Sequence, residues 1–386
     1  MRPSSALSEW RVPLSRPSFT DVDARHLSQV FSSGWWTYGP VAREVEARFA
    51  EYLGVRHALA VSSGTAALHL AHLALGVADG DEVVIPSLTF VAAANTILHC
   101  GAYPRFADVP SISKPIVTVE TLASALTPRT RGICVMHYGG YPCPMDEIME
   151  FASQRGLWVV EDAAHAPGAS LAGVRCGAWG DVGCFSFFGN KNITCAEGGM
   201  VVTQRDDLAD KIRALRSHGM TSLTWDRFRG HQYSYDVTVP GFNYRIDDLR
   251  ASILDLQLRS LDRRNELRRE RCMWYRELLQ DDSRWIVPFR QSAGESAFHL
   301  FVIVLNADIS RDRVMSTMKR MGIQTSVHYP PIHQFSCFQK MRRESAGLTV
   351  TEELGRRLLT LPLYPDMTQG QVELVCSSLK ESVEQS

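Results

Sequence analysis

A lysine at the end of an apolar segment carries the clearest chemical signal in this sequence. Lys191 lies in FSFFGNKNIT (residues 185–194), directly after a strand-like apolar run. Burying an amine beside a strand is costly, and this cost lowers the pKa of a lysine enough to make it a nucleophile near neutral pH. The position of Lys191 therefore predicts a reactive amine.

Two further segments could complete a cofactor site around that amine. Asp162 ends the apolar run VVED, and the segment SSGTAAL (residues 62–68) is typical of a turn that leads into a helix. The free N–H groups and positive dipole at a helix start bind phosphate. An amine, a strand-end carboxylate and a phosphate-binding helix start together predict pyridoxal 5′-phosphate (PLP).

The predicted site gives each of these residues a role. Lys191 would form the aldimine with the cofactor, and Asp162 would keep the ring nitrogen protonated, so that the ring remains an electron sink. Gly64 and Thr65 would hold the phosphate through their backbone N–H groups. Ser186, five residues before the lysine, could add a hydroxyl group.

Two more side chains could contact the cofactor ring. Phe90 could stack on it, and His165 could touch its other face or its phenolic oxygen. Taken singly, each residue of the site also has a structural explanation. Asp162 could cap a helix, Gly64 and Thr65 could form an ordinary turn, Phe90 and His165 could be core residues, and Lys191 could extend from a sheet edge. Their order and spacing favour the cofactor site.

Composition sets limits on the class of protein. The chain has 386 residues, 45% hydrophobic and 22% charged, with a formal net charge of −1, so no global field favours nucleic acid or a membrane surface. The nine cysteines form no CxxC pair or metal-like cluster, which predicts a reducing compartment and no metal site. No targeting or membrane-spanning segment is evident, and a cytoplasmic location is expected. The nucleotide motifs G-x-G-x-x-G and G-x-x-x-x-G-K-[ST] are absent.

The pattern of apolar runs predicts an α/β fold with a mostly parallel central sheet. Short, nearly continuous apolar runs alternate with helical spacers, which is typical of parallel strands buried on both faces. The predicted strands are 82–86, 104–108, 132–137, 157–162, 182–187 and 199–203. Ligands in such sheets collect at the carboxyl ends of strands, where Asp162 and Lys191 fall.

The rest of the chain predicts a second, smaller α/β domain. We expect a large cofactor-binding domain with an N-terminal arm over residues 1–250, and a C-terminal domain over 251–386 that is entered by a long helix spanning 247–280. A strand over 298–304, a helix over 310–321 and another strand over 322–329 would follow. The arginines between 263 and 271 are interpreted as a solvated helix face.

Along nearly its whole length the sequence resembles the DegT/DnrJ/EryC1/StrS family of PLP-dependent sugar aminotransferases. The matching segments are GWWTYGP (34–40), SSGTAAL (62–68), GDEVVIP (80–86), EDAAH (161–165), residues 185–199, GFNYR (241–245), HYPP (328–331) and LPLYP (361–365). The resemblance implies fold type I of the PLP-dependent transferases. It also implies that Lys191 is the aldimine lysine and proton shuttle, and that Asp162 pairs with the pyridine nitrogen.

The resemblance also implies an assembly and a set of substrate contacts. In a homodimer with shared active sites, Asn243 would reach the phosphate bound by the neighbouring subunit. The implied substrate-binding residues are Thr37, Tyr38, Arg245, His328, Tyr329 and His333. From residue type alone, His328 and Tyr329 could equally pack at a strand end, and Arg245 could either bind a donor carboxylate or pair with Asp247 or Asp248. Arg227 and Arg229 are interpreted as part of a solvated loop.

The implied function is transfer of an amino group from L-glutamate to a keto group of a nucleotide-diphosphate-linked deoxy sugar, in ping-pong fashion. Relatives that dehydrate instead carry histidine where this chain has Lys191, so the lysine favours transamination. The segment KNITCAEGG (191–199) is similar to members that aminate position 4 of the sugar, with amination at position 3 left open. The alternatives are a keto-cyclitol or other non-nucleotide acceptor, and a non-catalytic PLP-binding regulator.

Overall fold

The protein is built on a seven-stranded central sheet. This computed structural model describes residues 10–385 except 20, 223–224, 226–227, 231–233 and 343–346. The sheet order is β1-β9-β8-β5-β4-β2-β3. These strands are β1 His57–Val61, β2 Glu82–Pro86, β3 Tyr103–Ala107, β4 Thr130–Met136, β5 Trp158–Asp162, β8 Val182–Ser186 and β9 Gly199–Thr203.

The central sheet is mostly parallel, as predicted. Strands β8, β5, β4, β2 and β3 pair in parallel, whereas β9 runs antiparallel to both of its neighbours, β1 and β8. Each of the six strands predicted for the central sheet is present, with bounds within two residues of the prediction. Because β1, β2, β4, β5 and β8 point the same way, their carboxyl ends meet at one edge of the sheet.

Helices cover both faces of the sheet and the C-terminal unit. They are Asp21–Ser32, Pro40–Leu53, Gly64–Ala74, Ala92–His99, Val119–Ala123, Met145–Ser153, Asp206–Leu215, Asp248–Arg259, Leu261–Leu279, Arg311–Arg320, Gln339–Arg342, Thr349–Arg357 and Gln369–Glu384. Apolar side chains of the helix Gly64–Ala74 form one core with β1, β2 and β9, on one face of the sheet. Those of Pro40–Leu53 and Asp248–Arg259 form a second core.

The C-terminal unit has a small antiparallel sheet of its own, in the order β10-β11-β12. Its strands are β10 Trp285–Ile286, β11 Phe301–Leu305 and β12 Leu358–Leu361, and a separate hairpin joins β6 Ser170–Leu171 to β7 Val174–Arg175. The helices Leu261–Leu279, Arg311–Arg320 and Gln369–Glu384 share one apolar core with the small sheet. An α/β fold with a large unit and a smaller C-terminal unit results.

Two details of the predicted C-terminal unit were wrong. The expected strand over 322–329 is irregular. Its backbone bonds to two different segments, since Gln324 N–H donates to Val12 O and Ser326 N–H donates to Thr360 O. The expected long helix is two helices that meet at Ser260. The first of these two helices lies mostly beyond residue 250 but packs in the core of the large unit. The division into two domains at residue 250 stays a prediction.

Among the described residues, none of the helices combines the length and the apolar character needed to span a membrane.

Candidate active site

A cavity of about 370 Å³ lies at the edge of the central sheet where the parallel strands end. The segments after β1, β2, β5 and β8 contribute to its wall, and so does the last residue of β4. Nine of the residues predicted from the sequence line it: Gly64, Thr65, Phe90, Asp162, His165, Ser186, Lys191, His328 and Tyr329. The fold therefore brings together side chains that are up to 265 positions apart, since Gly64 and Tyr329 meet in one cavity.

Lys191 is held in the loop that joins the antiparallel strands β8 and β9. The loop is closed at its base because Phe187 N–H donates to Gly198 O at 2.9 Å and Cys195 N–H donates to Phe187 O at 3.1 Å. Burial lowers the pKa of Lys191 to about 8, and the nearby Asp162 carboxylate opposes this shift. About a tenth of the amine is therefore unprotonated at pH 7.

Asp162 ends β5 and presents its carboxylate to the cavity while only 4% of the residue is exposed. Burial raises the pKa of Asp162, whereas the N–H of Ala164, at 3.1 Å, and the charge of Lys191 oppose the shift. The end of β5 is fixed by the preceding carboxylate. Buried Glu161 accepts N–H groups from Trp179 and Gly180 at 2.7 Å each. Asp162 is thus a carboxylate anchored at the inner end of the cavity.

The helix Gly64–Ala74 starts at the cavity wall. Ser63 caps it by accepting the N–H of Ala66 at 3.1 Å, which leaves the N–H groups of the first residues, Gly64 and Thr65, outside the intrahelical bonding pattern. A Cβ on residue 64 would lie 2.8 Å from Ser186 Cβ and 3.2 Å from its Oγ. Glycine is therefore required where the helix start approaches the serine hydroxyl, and this arrangement suits a phosphate group.

Aromatic and imidazole rings form the opposite wall. The Gly139 N–H donates to His165 Nδ1 at 3.3 Å, and His165 Nε2 lies 2.9 Å from the Tyr329 hydroxyl. Burial, reinforced by the charge of Lys191, lowers the pKa of His165 well below its ordinary value and that of His328 to about 4. Phe90, 51% exposed, lies beyond, its ring 5.7 Å from that of Tyr329. This wall is neutral and largely flat.

These groups fit PLP: an amine of lowered pKa, a buried carboxylate, a helix start with a glycine-dependent cradle, and flat rings. A profile of the DegT/DnrJ/EryC1/StrS aminotransferase family matches residues 17–380. The chain belongs to this family. It is a PLP-dependent aminotransferase of the α/β type, and Lys191 and Asp162 line one cavity.

This aminotransferase is similar to a polysaccharide biosynthesis protein and to proteins of known structure. It is 37% identical, over 378 residues, to the spore coat polysaccharide biosynthesis protein SpsC of Bacillus subtilis (strain 168), covering 96% of this chain and 97% of SpsC. The structure of the aminotransferase TlmJ from Streptoalloteichus hindustanus superposes with a TM-score of 0.90 at 32% identity, covering 97% of this chain and 99% of TlmJ. DesI, solved in the presence of its TDP-sugar product, gives a TM-score of 0.86 at 29% identity, covering 97% of this chain and 93% of DesI.

Two residues near the N-terminal arm that were expected to contact substrate lie outside the aminotransferase cavity. Thr37 is exposed, and the Tyr38 hydroxyl is taken up by structural bonds: it donates to Glu46 at 2.9 Å and accepts from Arg216 at 2.9 Å. The Tyr38 ring also packs under the Arg216 guanidinium, 4.6 Å from its centroid. Tyr38 therefore anchors the start of the helix Pro40–Leu53.

His333, a third expected substrate residue, is fully buried away from the cavity. Its Nδ1 lies 2.6 Å from the Ser87 hydroxyl and its Nε2 lies 3.2 Å from a Glu352 carboxylate oxygen. Ser87 is itself fully buried, so this serine–histidine–glutamate arrangement has no access to a substrate. It ties the segment that carries Phe90 to the C-terminal unit.

The GFNYR segment lies on the surface next to the phosphate cradle rather than inside it. Asn243 is exposed, and the Ser62 N–H donates to Tyr244 O at 2.7 Å. Neither carboxylate suggested as a partner pairs with Arg245: Asp247 pairs with Arg250, and Asp248 accepts backbone N–H groups of residues 39, 41 and 42. Within the described part of the chain, Arg245 Nη1 is buried without a hydrogen-bond partner.

Of the two arginines assigned to a solvated loop, the structure describes one. Arg227 lies outside the described residues, and Arg229 is exposed, with its guanidinium 6.0 Å from the Trp225 ring.

Sequence reasoning missed several residues of the cavity wall. Ser63, Met136, Asn190 and Glu197 also line it. Ser63 could have been found from its position before Gly64, because serine is a preferred helix cap. Asn190 and Glu197 lie in the Lys191 loop, but nothing in their spacing indicates which side of the loop they face.

Proposed function

We propose that this enzyme transfers an amino group from L-glutamate to a keto group of a nucleotide-diphosphate-linked deoxy sugar. The observation that carries the proposal is the meeting of Lys191, Asp162 and the start of the helix Gly64–Ala74 in one cavity. The similarity to SpsC and to DesI, whose product is a TDP-sugar, supports the choice of acceptor.

The protein's own groups divide the work of the proposed reaction. When bound, PLP supplies a carbonyl that can carry the amino group and a ring that withdraws electrons. Lys191 Nζ, with a pKa of about 8, would accept a proton from the donor carbon and return it on the same face. Asp162 would hold the ring nitrogen by its charge, and the N–H groups of Gly64 and Thr65 with the Ser186 hydroxyl would hold the phosphate.

The size of the cavity supports an acceptor that extends beyond it. A volume of about 370 Å³ suits a cofactor and a small reacting group, so a nucleotide diphosphate would lie across the mouth. Phe90 and Phe188 line this cavity and are 51% and 48% exposed, which provides apolar surface there. The neutral His328 and the Tyr329 hydroxyl would face the sugar, with position 4 as the favoured site of amination.

The donor carboxylate needs a cation, and Arg245 is the candidate we favour. Its Nη1 has no hydrogen-bond partner among the described residues, and burial together with the charge of Arg216 lowers its pKa. An arginine guanidinium binds carboxylates in a two-point geometry. Because Arg245 lies outside the cavity of its own chain, we propose that it acts across the interface of a homodimer, together with Asn243.

A cytoplasmic location is part of the proposal. It is supported by nine cysteines, none of which forms a disulfide.

The test starts from the purified protein and its absorbance spectrum. Added L-glutamate should convert a visible PLP band into the ultraviolet band of the pyridoxamine form, and a nucleotide-linked 4-keto sugar should restore the visible band. Lys191→Ala should abolish turnover with the fold retained. Lys191→Arg is the matched control, because it keeps a positive charge but lacks the amine that the reaction needs. If the free keto sugar restored the visible band as well as the nucleotide-linked sugar does, the acceptor would not need its nucleotide. A visible band that glutamate leaves unchanged would contradict the proposal that L-glutamate is the amino donor.

A further inference from the structure

Two residues near the active-site lysine each carry a buried polar atom without a partner, and both residues line one small cavity. His299 Nε2 and Asn190 Oδ1 have no hydrogen-bond partner among the described residues. Both residues line a second cavity, of about 20 Å³, which shares Asn190 and His328 with the Lys191 cavity. Because unsatisfied buried polar groups are rare in folded proteins, this pair calls for a ligand.

A chain of hydrogen bonds that starts at two backbone carbonyls fixes which His299 nitrogen is free. Asn265 donates its amide N–H to Pro167 O at 2.9 Å, so its Oδ1 must be the atom that accepts from Asn192 Nδ2 at 2.8 Å. Asn192 Nδ2 also donates to Ala297 O at 2.7 Å. The Asn192 Oδ1 is therefore an acceptor, and His299 Nδ1, at 2.9 Å, must donate to it.

His299 Nε2 thus carries a lone pair that no described residue satisfies. The residue is 4% exposed, and burial, with the charge of Lys191 as the next cause, lowers its pKa well below the ordinary value, so the ring is neutral. Asn190 Oδ1 is a second acceptor. A ligand that satisfies both must offer two hydrogen-bond donors within the space of one small molecule.

Water meets these requirements. The volume of about 20 Å³ exceeds the roughly 10–15 Å³ that one water needs, and a buried water usually has two to four polar partners. Further polar side chains at this cavity are Ser15 from the N-terminal arm and Thr360, whose hydroxyl lies 3.0 Å from His328 Nδ1. Residues of the arm and of the C-terminal sheet thus contribute to the wall of this space.

We propose that His299 and Asn190 bind one water molecule behind Lys191, and that this water accepts a hydrogen bond from the ammonium form of Lys191. Since both hydrogens of the water are directed to the two acceptors, its oxygen is left to accept, and Lys191 is the cation next to Asn190 in the chain. His299 is then a positioning residue that acts on the lysine through the water. The water site stands independently of which donor or acceptor the enzyme uses.

The first experiment is a crystal structure of the enzyme loaded with pyridoxamine 5′-phosphate, a form in which Lys191 is free. Ordered density for a water within hydrogen-bond distance of both His299 Nε2 and Asn190 Oδ1 is the expected result. A dry cavity at a resolution that shows buried waters elsewhere would overturn the proposal. So would an Asn190 amide turned so that its N–H groups donate directly to His299.

Two substitutions separate the two nitrogens of His299. An asparagine amide N–H can occupy the place of Nδ1, so His299→Asn keeps the donor to Asn192 and removes the acceptor at the cavity. A glutamine amide oxygen can occupy the place of Nε2, so His299→Gln keeps the cavity acceptor and removes the donor. The water should disappear in His299→Asn and remain in His299→Gln.

The effect on the lysine is read by competitive acetylation of the pyridoxamine phosphate-loaded enzyme at a series of pH values, with mass spectrometry of the Lys191 peptide. Losing one hydrogen bond to the ammonium should lower the pKa of Lys191 by about one unit in His299→Asn, and His299→Gln should stay near the wild-type value. Lys211 and Lys380 serve as internal standards. Equal Lys191 profiles in the three proteins would overturn the role of His299. If His299→Asn fails to fold, Asn190→Ala, which removes the other acceptor, provides the same measurement.

Discussion

Burial sets the chemistry of the active site at the level of single residues. It favours the neutral forms of Lys191, His165, His299 and His328, so the surroundings of the amine hold little competing positive charge. The carboxylate of Asp162 is the opposing charge, and it moderates the shift of Lys191 without reversing it. An amine in this environment can take up a proton near neutral pH and release it again.

The pKa of Lys191 predicts a pH dependence for proton transfer. With a pKa of about 8, the unprotonated amine falls about tenfold for each pH unit below that value, so the rate should rise with pH and level off above about pH 8. The measurement is the pH profile of a single half-reaction that starts from the pyridoxamine form. In Lys191→Ala supplied with methylamine, the profile should follow the pKa of the added amine instead. A wild-type profile without this rise would show that another group transfers the proton.

Gly64 provides a steric prediction. An added Cβ would lie 2.8 Å from Ser186 Cβ, so Gly64→Ala must push the helix start and the serine apart at a cost of about 1–3 kcal/mol. We expect PLP to bind roughly 10- to 100-fold more weakly, as measured by fluorescence titration.

Two further variants test the cause of that loss. The double variant Gly64→Ala with Ser186→Gly removes the contact and should recover part of the affinity. Gly370→Ala, where nothing lies within 4 Å of the added Cβ, should bind PLP normally. Unchanged PLP binding by Gly64→Ala would contradict the proposed phosphate cradle.

The residue types that could be predicted from the sequence are those tied to strand ends. Asp162 and Lys191 follow apolar runs, and parallel strands bring such positions together. The role of His299 could not be predicted, because its tautomer depends on Asn192 and Asn265, which are 107 and 34 positions away. Tyr38 was misplaced for the same reason, since its partner Arg216 lies 178 positions further along the chain.

At the scale of elements, the antiparallel strand β9 determines how the lysine loop is held. Apolar runs predicted β8 and β9 but not their pairing, since residue periodicity carries no information on strand order. The observed order β1-β9-β8 places the lysine loop next to the start of the helix that follows β1. The amine and the phosphate cradle are therefore adjacent because one strand reverses direction.

A buried ion pair fixes two helices of the large unit, and it provides a stability prediction. Arg216, 1% exposed, donates to Glu46 at 2.5 Å and to Ala60 O at 2.8 Å, linking the helix Pro40–Leu53 to the end of the helix Asp206–Leu215. Glu46→Gln leaves the guanidinium buried without its counter-charge, which should lower the free energy of unfolding by about 3 kcal/mol in urea denaturation.

The matched control lies on the same helix. Glu44 has 67% of its side chain exposed and pairs with Arg48 at 3.4 Å, so Glu44→Gln should change the free energy of unfolding by less than about 0.5 kcal/mol. Equal effects of Glu44→Gln and Glu46→Gln would show that the buried pair contributes no more than a surface pair.

At the scale of the whole molecule, apolar side chains remain exposed near the GFNYR segment and the N-terminal arm. Phe228 is 71% exposed, Phe31 57%, Tyr235 55% and Trp36 46%. The Trp35 ring packs against the Trp225 and Phe228 rings, at 4.5 and 4.8 Å between centroids, and the Phe31 ring stacks on Trp36 at 5.0 Å. Exposed apolar patches of this kind mark protein interfaces, which supports the proposed homodimer.

The shared active site can be tested by mixing two inactive variants. If each site combines Lys191 of one chain with Asn243 of the other, Lys191→Ala and Asn243→Ala should each be impaired alone. A mixed dimer then contains one site with both substitutions and one site with neither. In an equimolar mixture, random exchange of subunits makes about half of the dimers mixed. Each mixed dimer has one intact site of two, so the mixture should recover about a quarter of the wild-type activity.

The ratio of activities distinguishes a shared site from the alternatives. If Asn243 acted within its own chain, each chain of the mixed dimer would carry its own defect and mixing would recover no activity. A protein that remains monomeric in analytical ultracentrifugation would contradict the homodimer itself. Mixing Lys191→Ala with Asp162→Ala, two residues that line one cavity of the same chain, is the matched control and should give no recovery. Recovery in the first mixture and not in the second would place Asn243 across the interface, as its exposure outside its own cavity predicts.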